Sequence, residues 1–154
     1  MEGGHLLIYK EVSGDSRAKE GVGCIINKNY KGYISKRIDG TEIILSVELK
    51  MEENVTIIVT YGPNEDEITC DKHDYWEKLD FTIQNAKDKL IIIGDLNARV
   101  GMRDEESSFV VGNQGEIVTN KNGRRLINFC ILNELIIANT FYQDKDIHKY
   151  NREV

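Results

Sequence analysis

The stretch that most constrains the fold is an aliphatic run, Leu90–Ile93, that leads directly into Gly94, Asp95, Leu96 and Asn97. Such a run predicts a short strand that is buried on both faces. Because side chains two positions apart on an extended chain point the same way, Asp95 and Asn97 are expected to project together from the carboxyl end of that strand. A carboxylate beside an amide suits oxygen chemistry, since one can bind a hard cation such as Mg²⁺ and the other can hold a substrate oxygen. The plain alternative is an ordinary Asp- and Asn-containing turn.

The composition predicts one soluble globular domain. The chain has 154 residues, of which 40% are hydrophobic and 30% charged, so it can bury a core and is not of the disordered class. Its formal net charge of -6 argues against broad electrostatic wrapping of nucleic acid, although a bound cation could still compensate local carboxylates and phosphates.

Cysteine usage and the N-terminus bear on location. Cys24, Cys70 and Cys130 are odd in number and widely spaced, which argues against a disulfide framework or a zinc site and favours a reducing compartment. The N-terminus has neither the basic start nor the apolar run of a signal peptide, and no apolar run approaches the roughly 20 residues that span a bilayer. We therefore expect an intracellular protein, nuclear or cytoplasmic, that is neither secreted nor in a membrane.

Short apolar runs predict a sheet-dominated first half. The six predicted strands are His5–Tyr9, Gly21–Ile26, Tyr33–Ile38, Glu42–Leu49, Val55–Tyr61 and Leu90–Ile93. Asp39 and Gly40 predict a hairpin turn between the third and fourth strands, and residues 51–54 predict a second turn. We expect an α/β layered domain with antiparallel pairing early in the chain.

Helical spacing appears in the second half. Apolar residues at steps of three and four predict a helix over Asp71–Lys87, with a capping role for Asp71, and a second helix over Asn122–Asn133. Arg99–Gly115 is predicted to be a long polar loop, and Leu135–Ala138 to be a further strand.

A second polar motif follows the Val55–Tyr61 strand, where the chain continues Gly62-Pro63-Asn64. If the intervening helix lets both strands run the same way, Tyr61, Asp95 and Asn97 gather at one edge of the sheet. A phenol, a carboxylate and an amide placed there could orient a phosphate, bind a metal and position an attacking water. For Tyr61 alone, the plain alternative is a strand-end aromatic that caps the core.

Five motifs in order resemble one known family. The chain resembles the endonuclease/exonuclease/phosphatase domain, in the branch carried by non-LTR retrotransposons and the craniofacial development protein 2-like sequences. The resemblance covers about residues 21–150, and residues 151–154 form a divergent tail. The matching pieces are Gly21-Val22-Gly23, Thr60-Tyr61-Gly62-Pro63-Asn64, Gly94-Asp95-Leu96-Asn97-Ala98, Asn122-Gly123-Arg124-Arg125-Leu126, and Asn139-Thr140-Phe141 followed by His148-Lys149-Tyr150.

The resemblance implies a fold, a cofactor and roles for three residues. It implies a four-layer α/β/β/α sandwich and Mg²⁺-dependent phosphodiester cleavage, with Mn²⁺ as the alternative ion and DNA as the substrate. Tyr61 matches the family's phosphate-contacting tyrosine and Asn97 its phosphate-binding asparagine. Asp95 matches the aspartate that orients the attacking water, and it is also the one matched residue that could bind the metal, weakly.

Other parts of the family's site have no match in these residues. The metal-binding glutamate is expected before residue 1, and the late aspartate and the catalytic histidine beyond residue 154. The sequence therefore reads as an incomplete sandwich, a fragment lacking both ends. A sandwich of this kind leaves sheet edges and an apolar face uncovered, so self-association through those edges is expected.

These observations lead to one function and two rivals. The first is a DNA endonuclease domain fragment of retrotransposon origin, with weak or no activity of its own. The second is a non-catalytic remnant that acts as an interaction module. The third is a phosphatase of the same superfamily, which the transposon-like loop and the Asn122–Leu126 motif make less favoured.

Overall fold

The computed structural model describes residues 4–10, 21–38, 41–86 and 89–143. The chain divides into two compact units, Met1–Leu96 and Asn97–Val154. Among the described residues, the first unit holds every strand, and the second holds one α-helix and a long irregular segment. Within the described residues no helix is long and apolar enough to cross a membrane.

All six strands predicted in the first hundred residues are present. They are β1 (Leu6–Tyr9), β2 (Gly23–Ile26), β3 (Ile34–Ile38), β4 (Ile44–Leu49), β5 (Val55–Tyr61) and β6 (Lys89–Asp95). A 3₁₀ helix, Lys28–Tyr33, joins β2 to β3, and helix α1, Thr69–Gln84, joins β5 to β6.

The strands form two sheets. β1 and β2 pair antiparallel, and the larger sheet has the order β3-β4-β5-β6. Its β3–β4 and β4–β5 pairs are antiparallel, which confirms the early antiparallel pairing, and β5–β6 is parallel. The predicted turn at Asp39 and Gly40 lies outside the described residues.

The core of the first unit lies on both faces of the large sheet. On one face, Ile8 and Ile26 of the small sheet pack in a single cluster with Leu45, Val47 and Val59 of β4 and β5. On the other face, the Tyr75 hydroxyl of α1 lies 3.0 Å from Thr60 Oγ1. Because Thr60 and Val59 are consecutive on a strand, they point to opposite faces. A helix, a four-stranded sheet and a two-stranded sheet therefore form three layers of a mixed α/β fold, and the four-layer sandwich stays a prediction.

The prediction that the aliphatic run of β6 is buried on both faces is wrong. Ile91 is 49% exposed and Ile93 46% exposed. They pair with Ile57 and Val59, so they share the face that the small sheet covers. That cover reaches Val59 but leaves β6, the last strand of the described sheet, open on this side.

Helix α1 begins two residues before its predicted start. Its N-terminal flanking residue is Ile68, which makes no side-chain capping bond, and Asp71 lies within the first turn. The predicted capping role of Asp71 is therefore wrong. The predicted end at Lys87 lies outside the described residues.

The second unit confirms the helix and overturns the last strand. Helix α2 spans Lys121–Leu132. The predicted strand Leu135–Ala138 is absent, because the Leu135 amide donates to the Cys130 carbonyl at 2.8 Å, which closes the end of α2, and a 3₁₀ helix, Ala138–Thr140, follows. Arg99–Gly115 contains no helix or strand, as predicted, apart from one isolated bridge between Val100 and Thr119.

Candidate active site at the carboxyl ends of β5 and β6

The parallel pairing of β5 and β6 brings two predicted site residues together. The ladder runs in continuous register from Val55 opposite Lys89 to Tyr61 opposite Asp95. Partners in register on neighbouring strands point to the same face and are separated by one strand spacing, about 4.8 Å. The prediction that these two strands are neighbours is confirmed, and it places Tyr61, half-buried, beside Asp95, exposed, at one edge of the sheet.

Two glycines allow the two strand ends to approach closely. Gly94 has φ +139°, and a Cβ there would lie 1.8 Å from the Thr60 carbonyl oxygen. A Cβ at Gly62 would lie 2.7 Å from the Leu96 carbonyl oxygen. The Gly62 amide donates to the Asp95 carbonyl at 2.7 Å, which extends the pairing past the end of β5. The glycine of each motif is therefore a requirement of backbone packing.

Asn97, the third predicted residue, opens the second unit. Strand β6 ends at Asp95, and Asn97 has φ +48°, a left-handed conformation that asparagine tolerates better than most residues. The extended backbone that led us to expect parallel side chains therefore ends before Asn97. The placement of its amide beside Asp95 stays a prediction.

Two asparagines hold the Asn97 backbone: Asn122, which the sequence analysis selected only as part of a motif, and Asn120, which it did not select. The Nδ2 groups of Asn120 and Asn122 donate to the Asn97 carbonyl at 3.3 and 3.2 Å. Asn120 Oδ1 also accepts from the amides of Arg99 and Gly123, at 3.0 and 2.7 Å. The signal in the sequence is the Asn-x-Asn-Gly pattern at the start of α2, which combines a helix cap with a second amide. This motif therefore fixes the backbone that follows β6.

Helix α2 also packs closely against that backbone within the second unit. A Cβ at Gly123 would lie 1.8 Å from the Arg99 carbonyl oxygen, so only glycine fits. Asn122 is buried, whereas Lys121 and Arg124 are exposed. The polar start of α2 therefore has a structural role through its asparagines, and its basic side chains face solvent.

A cleft beside the β5 motif is unsuited to phosphate. It has a volume of about 540 Å³ and is lined by Ile43, Pro63, Asn64, Asp66, Glu67, Asp71 and Tyr75. Three carboxylates among these side chains would repel an anion. Burial raises the pKa of Tyr75 to about 12, while its hydrogen bond to Thr60 partly opposes that rise, so this hydroxyl stays protonated.

The described residues do not by themselves fit a Mg²⁺ site. Among them there is no group of three or more His, Cys, Asp or Glu side chains that could hold a metal ion. Asp95 supplies one carboxylate, and Mg²⁺ bound in this way keeps most of its waters and depends on further oxygen ligands. The described residues therefore supply one carboxylate and lack the further ligands of a metal centre.

Comparison with known proteins gives one group of relatives. No family model and no solved structure matches the chain significantly. Craniofacial development protein 2 of Bos taurus is 32% identical over 138 residues, which are 88% of this chain and 23% of that protein. The same protein of Tragulus javanicus is 31% identical over 138 residues, which are 88% of this chain and 24% of that protein.

The chain is similar to craniofacial development protein 2. The similarity extends over most of this chain, and the chain spans about a quarter of the length of the curated relatives it matches. It agrees with the branch to which the motifs point.

Proposed function

We propose that this chain is part of a metal-dependent phosphodiester hydrolase domain, a DNA endonuclease of the endonuclease/exonuclease/phosphatase type and of retrotransposon origin. The observation that carries the proposal is the register of β5 and β6, which makes Tyr61 the direct partner of Asp95. Two motifs that lie more than thirty positions apart in the chain thereby supply a phenol and a carboxylate to one open edge. Similarity to craniofacial development protein 2 supports the same branch.

Each residue has a role that its chemistry can perform. The Tyr61 hydroxyl donates a hydrogen bond to a non-bridging phosphate oxygen and fixes the scissile group. The Asp95 carboxylate accepts a hydrogen bond from a water molecule. This hydrogen bond directs the lone pair of the water oxygen at phosphorus, opposite the leaving oxygen. The Asn97 amide donates to a second phosphate oxygen, while Asn120 and Asn122 hold its backbone.

The proposal assigns Mg²⁺, or Mn²⁺ in its place, to the whole domain. A divalent cation would offset the charge of the phosphate beside Asp95. Its remaining ligands are not among the described residues, so no step above passes through the metal.

Residues 1–154 by themselves are predicted to give no Mg²⁺-dependent nicking of plasmid or abasic-site DNA above background. Removing one principal catalytic group typically costs about 10²–10⁴ in rate, and no residue of this sequence matches the family's metal-binding glutamate or catalytic histidine. The measurement is conversion of supercoiled to open-circular plasmid by the purified chain. Robust nicking that Asp95→Ala abolishes would show that other residues of this chain complete the site.

The test of the function itself is a chimera. Residues 1–154 are joined to the missing glutamate strand and the aspartate and histidine segments of an active relative. We expect Mg²⁺-dependent nicking by the chimera, a loss of about 10²-fold or more with Asp95→Ala, and a smaller loss with Tyr61→Phe.

A matched control separates chemistry from folding. Asp74 is an exposed aspartate on α1, so Asp74→Ala changes the same charge away from the strand ends and should leave nicking unchanged. A folded chimera that never nicks, or one that nicks equally well with Asp95→Ala, would contradict the proposal.

One observation favours a second candidate, a non-catalytic interaction module. Strand β6 presents the exposed side chains of Ile91 and Ile93 at the end of the described sheet. Exposed apolar strands at a sheet end are typical association sites. A folded but inactive chimera together with stable self-association of the chain would select this candidate.

A further inference from the structure

The segment between β2 and β3 presents two tyrosines and two lysines in adjacent rows. The 3₁₀ helix Lys28–Tyr33 is capped by Asn27, whose Oδ1 accepts from the Asn29 amide at 3.0 Å. Because a 3₁₀ helix has three residues per turn, side chains at i and i+3 lie one above the other. Lys28 and Lys31 form one row, and Tyr30 and Tyr33 form the next; we call these four residues the tyrosine–lysine patch.

The two tyrosine rings are open to solvent. Tyr30 is 46% exposed and Tyr33 47% exposed, and no residue of this helix is buried. The ring centroids are 6.5 Å apart with a tilt of 51°, so the rings touch without stacking on each other. Each tyrosine therefore keeps about half of its surface open to solvent. Tyrosines that served only the core would be buried.

The sequence segment that carries the patch is basic, although the chain as a whole is acidic. From Gly21 to Ile38 the sequence contains three lysines and one arginine and no acidic residue, although the chain has 26 acidic and 20 basic residues. On the neighbouring strand, the Glu48 carboxylate accepts a hydrogen bond from the Ser35 hydroxyl at 3.0 Å. The patch thus carries two lysines beside its aromatic rings, within a basic stretch of the sequence.

The patch lies at the opposite end of the sheet from the candidate active site. The Lys50 amide donates to the Tyr33 carbonyl at 2.7 Å, and Ile34 pairs with Leu49, which pairs with Val55 at the start of β5. Tyr61 is at the other end of β5, roughly 20 Å away at about 3.3 Å per strand residue. The patch is therefore a separate site.

We propose that the tyrosine–lysine patch binds single-stranded nucleic acid. Tyr30 and Tyr33 offer faces on which unpaired bases stack, and Lys28 and Lys31 meet the phosphates of the same strand. A duplex hides its base faces inside the stack, so a surface with two exposed rings selects the single strand. The site uses neither Tyr61 nor Asp95, so it goes beyond the proposed cleavage and does not depend on it.

The test measures binding without cleavage. The full 154-residue chain is titrated into a fluorescein-labelled oligothymidylate about 16 nucleotides long, near the larger site sizes of single-strand-binding folds, at about 50 mM salt with EDTA. We expect binding that weakens at least about fivefold for each tyrosine in Tyr30→Ala and Tyr33→Ala. Tyr30→Phe and Tyr33→Phe should bind like the parent, because stacking needs the ring and not the hydroxyl.

Two controls make the assignment specific. Tyr142 is more exposed still, at 74%, so Tyr142→Ala removes an exposed ring elsewhere and should not change the affinity. Lys28→Gln and Lys31→Gln should each lower the slope of log affinity against log salt by about 0.7, whereas Lys78→Gln on the exposed side of α1 should leave it unchanged.

Three results would overturn the proposal. They are absence of binding at low salt by the folded chain, equal affinities of the Tyr30→Ala/Tyr33→Ala and Tyr142→Ala variants, and duplex that competes as well as single strand. Asp95→Ala should bind like the parent, and EDTA prevents cleavage. Failure of this proposal is thereby distinguished from failure of the proposed hydrolase, which is tested by nicking alone.

Discussion

Strands β5 and β6 contain the same number of aliphatic residues and have very different surroundings. Each is a seven-residue run of mainly aliphatic side chains. β5 lies between β4 and β6, with α1 on one face and the small sheet on the other, and its Ile58 is 0% exposed. β6 ends the described sheet, and Ile91 and Ile93 are about half exposed. Aliphatic composition therefore identifies a strand but does not reveal what covers it.

The two strands also differ in whether solvent reaches their side chains. Asp95 lies on the same face of β6 as Ile91 and Ile93, because all three alternate along the strand. The face that the small sheet leaves open is thus the face that carries the carboxylate, and Asp95 is exposed there. β5 supplies the buried neighbour, and β6 supplies a carboxylate that solvent can reach.

The largest expected effect is the difference in stability between truncating a buried side chain of β5 and truncating an exposed side chain of β6. Ile58→Ala should lower the free energy of unfolding by about 2–5 kcal/mol, because it leaves a cavity in a fully buried site. Ile91→Ala should cost less than about 1 kcal/mol, because half of that side chain is already in water. Urea denaturation of both variants measures the difference. Equal costs would mean that β6 is as well covered as β5.

A somewhat smaller effect is expected where the two strands approach most closely. Gly94→Ala should destabilise the protein by about 2 kcal/mol, because it combines backbone strain with a clash against the Thr60 carbonyl. Gly32→Ala is the matched control, since a Cβ at Gly32 meets no atom within 4 Å. Thermal unfolding of the two variants checks this. Unchanged stability of Gly94→Ala would show that the ends of β5 and β6 can separate.

The Tyr75 hydroxyl, which lies between α1 and β5, is expected to contribute less to the free energy of unfolding. Tyr75→Phe removes the hydrogen bond to Thr60 Oγ1 and should cost about 1 kcal/mol, while Thr60 keeps its bond to the Ile43 carbonyl at 2.9 Å. Tyr142→Phe, at an exposed ring, should cost nothing measurable. Urea denaturation at neutral pH is the measurement, and an equal result for the two variants would mean that the buried bond contributes no stability.

The raised pKa of Tyr75 predicts that the stability of the protein depends on pH. Burial raises the pKa of Tyr75 to about 12 from an ordinary value near 10. The stability that it contributes is fully present below about pH 10, and it is lost as the pH rises towards 12, because the unfolded chain ionises first. Stability of the parent should fall more steeply across this range than that of Tyr75→Phe. Parallel curves would contradict the assignment.

The sequence was sufficient for what local pattern controls. Short apolar runs predicted all six described strands of the first unit, and steps of three and four predicted α1 and α2. The pairing of the β5 and β6 ends followed from the helix between them, since a crossover makes successive strands parallel.

What the sequence could not reveal depends on contacts between distant segments. The exposure of Ile91 is decided by how far the small sheet extends. The predicted strand at Leu135 fails because its amide bonds to the end of α2 instead of to a strand. Asn122 was selected as part of a motif, but its hydrogen bond to the Asn97 carbonyl could not be predicted, because it forms only in the folded loop.

The most direct test of the central claim is a double-mutant cycle across the β5–β6 pair. In the nicking chimera, kcat/KM is measured for the parent, Tyr61→Phe, Asp95→Asn and the double variant. If the register makes the two residues one phosphate-handling unit, the double variant should lose much less than the product of the two single losses, because residues that act together are not additive. Independent effects, in which the two losses multiply in full, would contradict the claim that Tyr61 and Asp95 share one site.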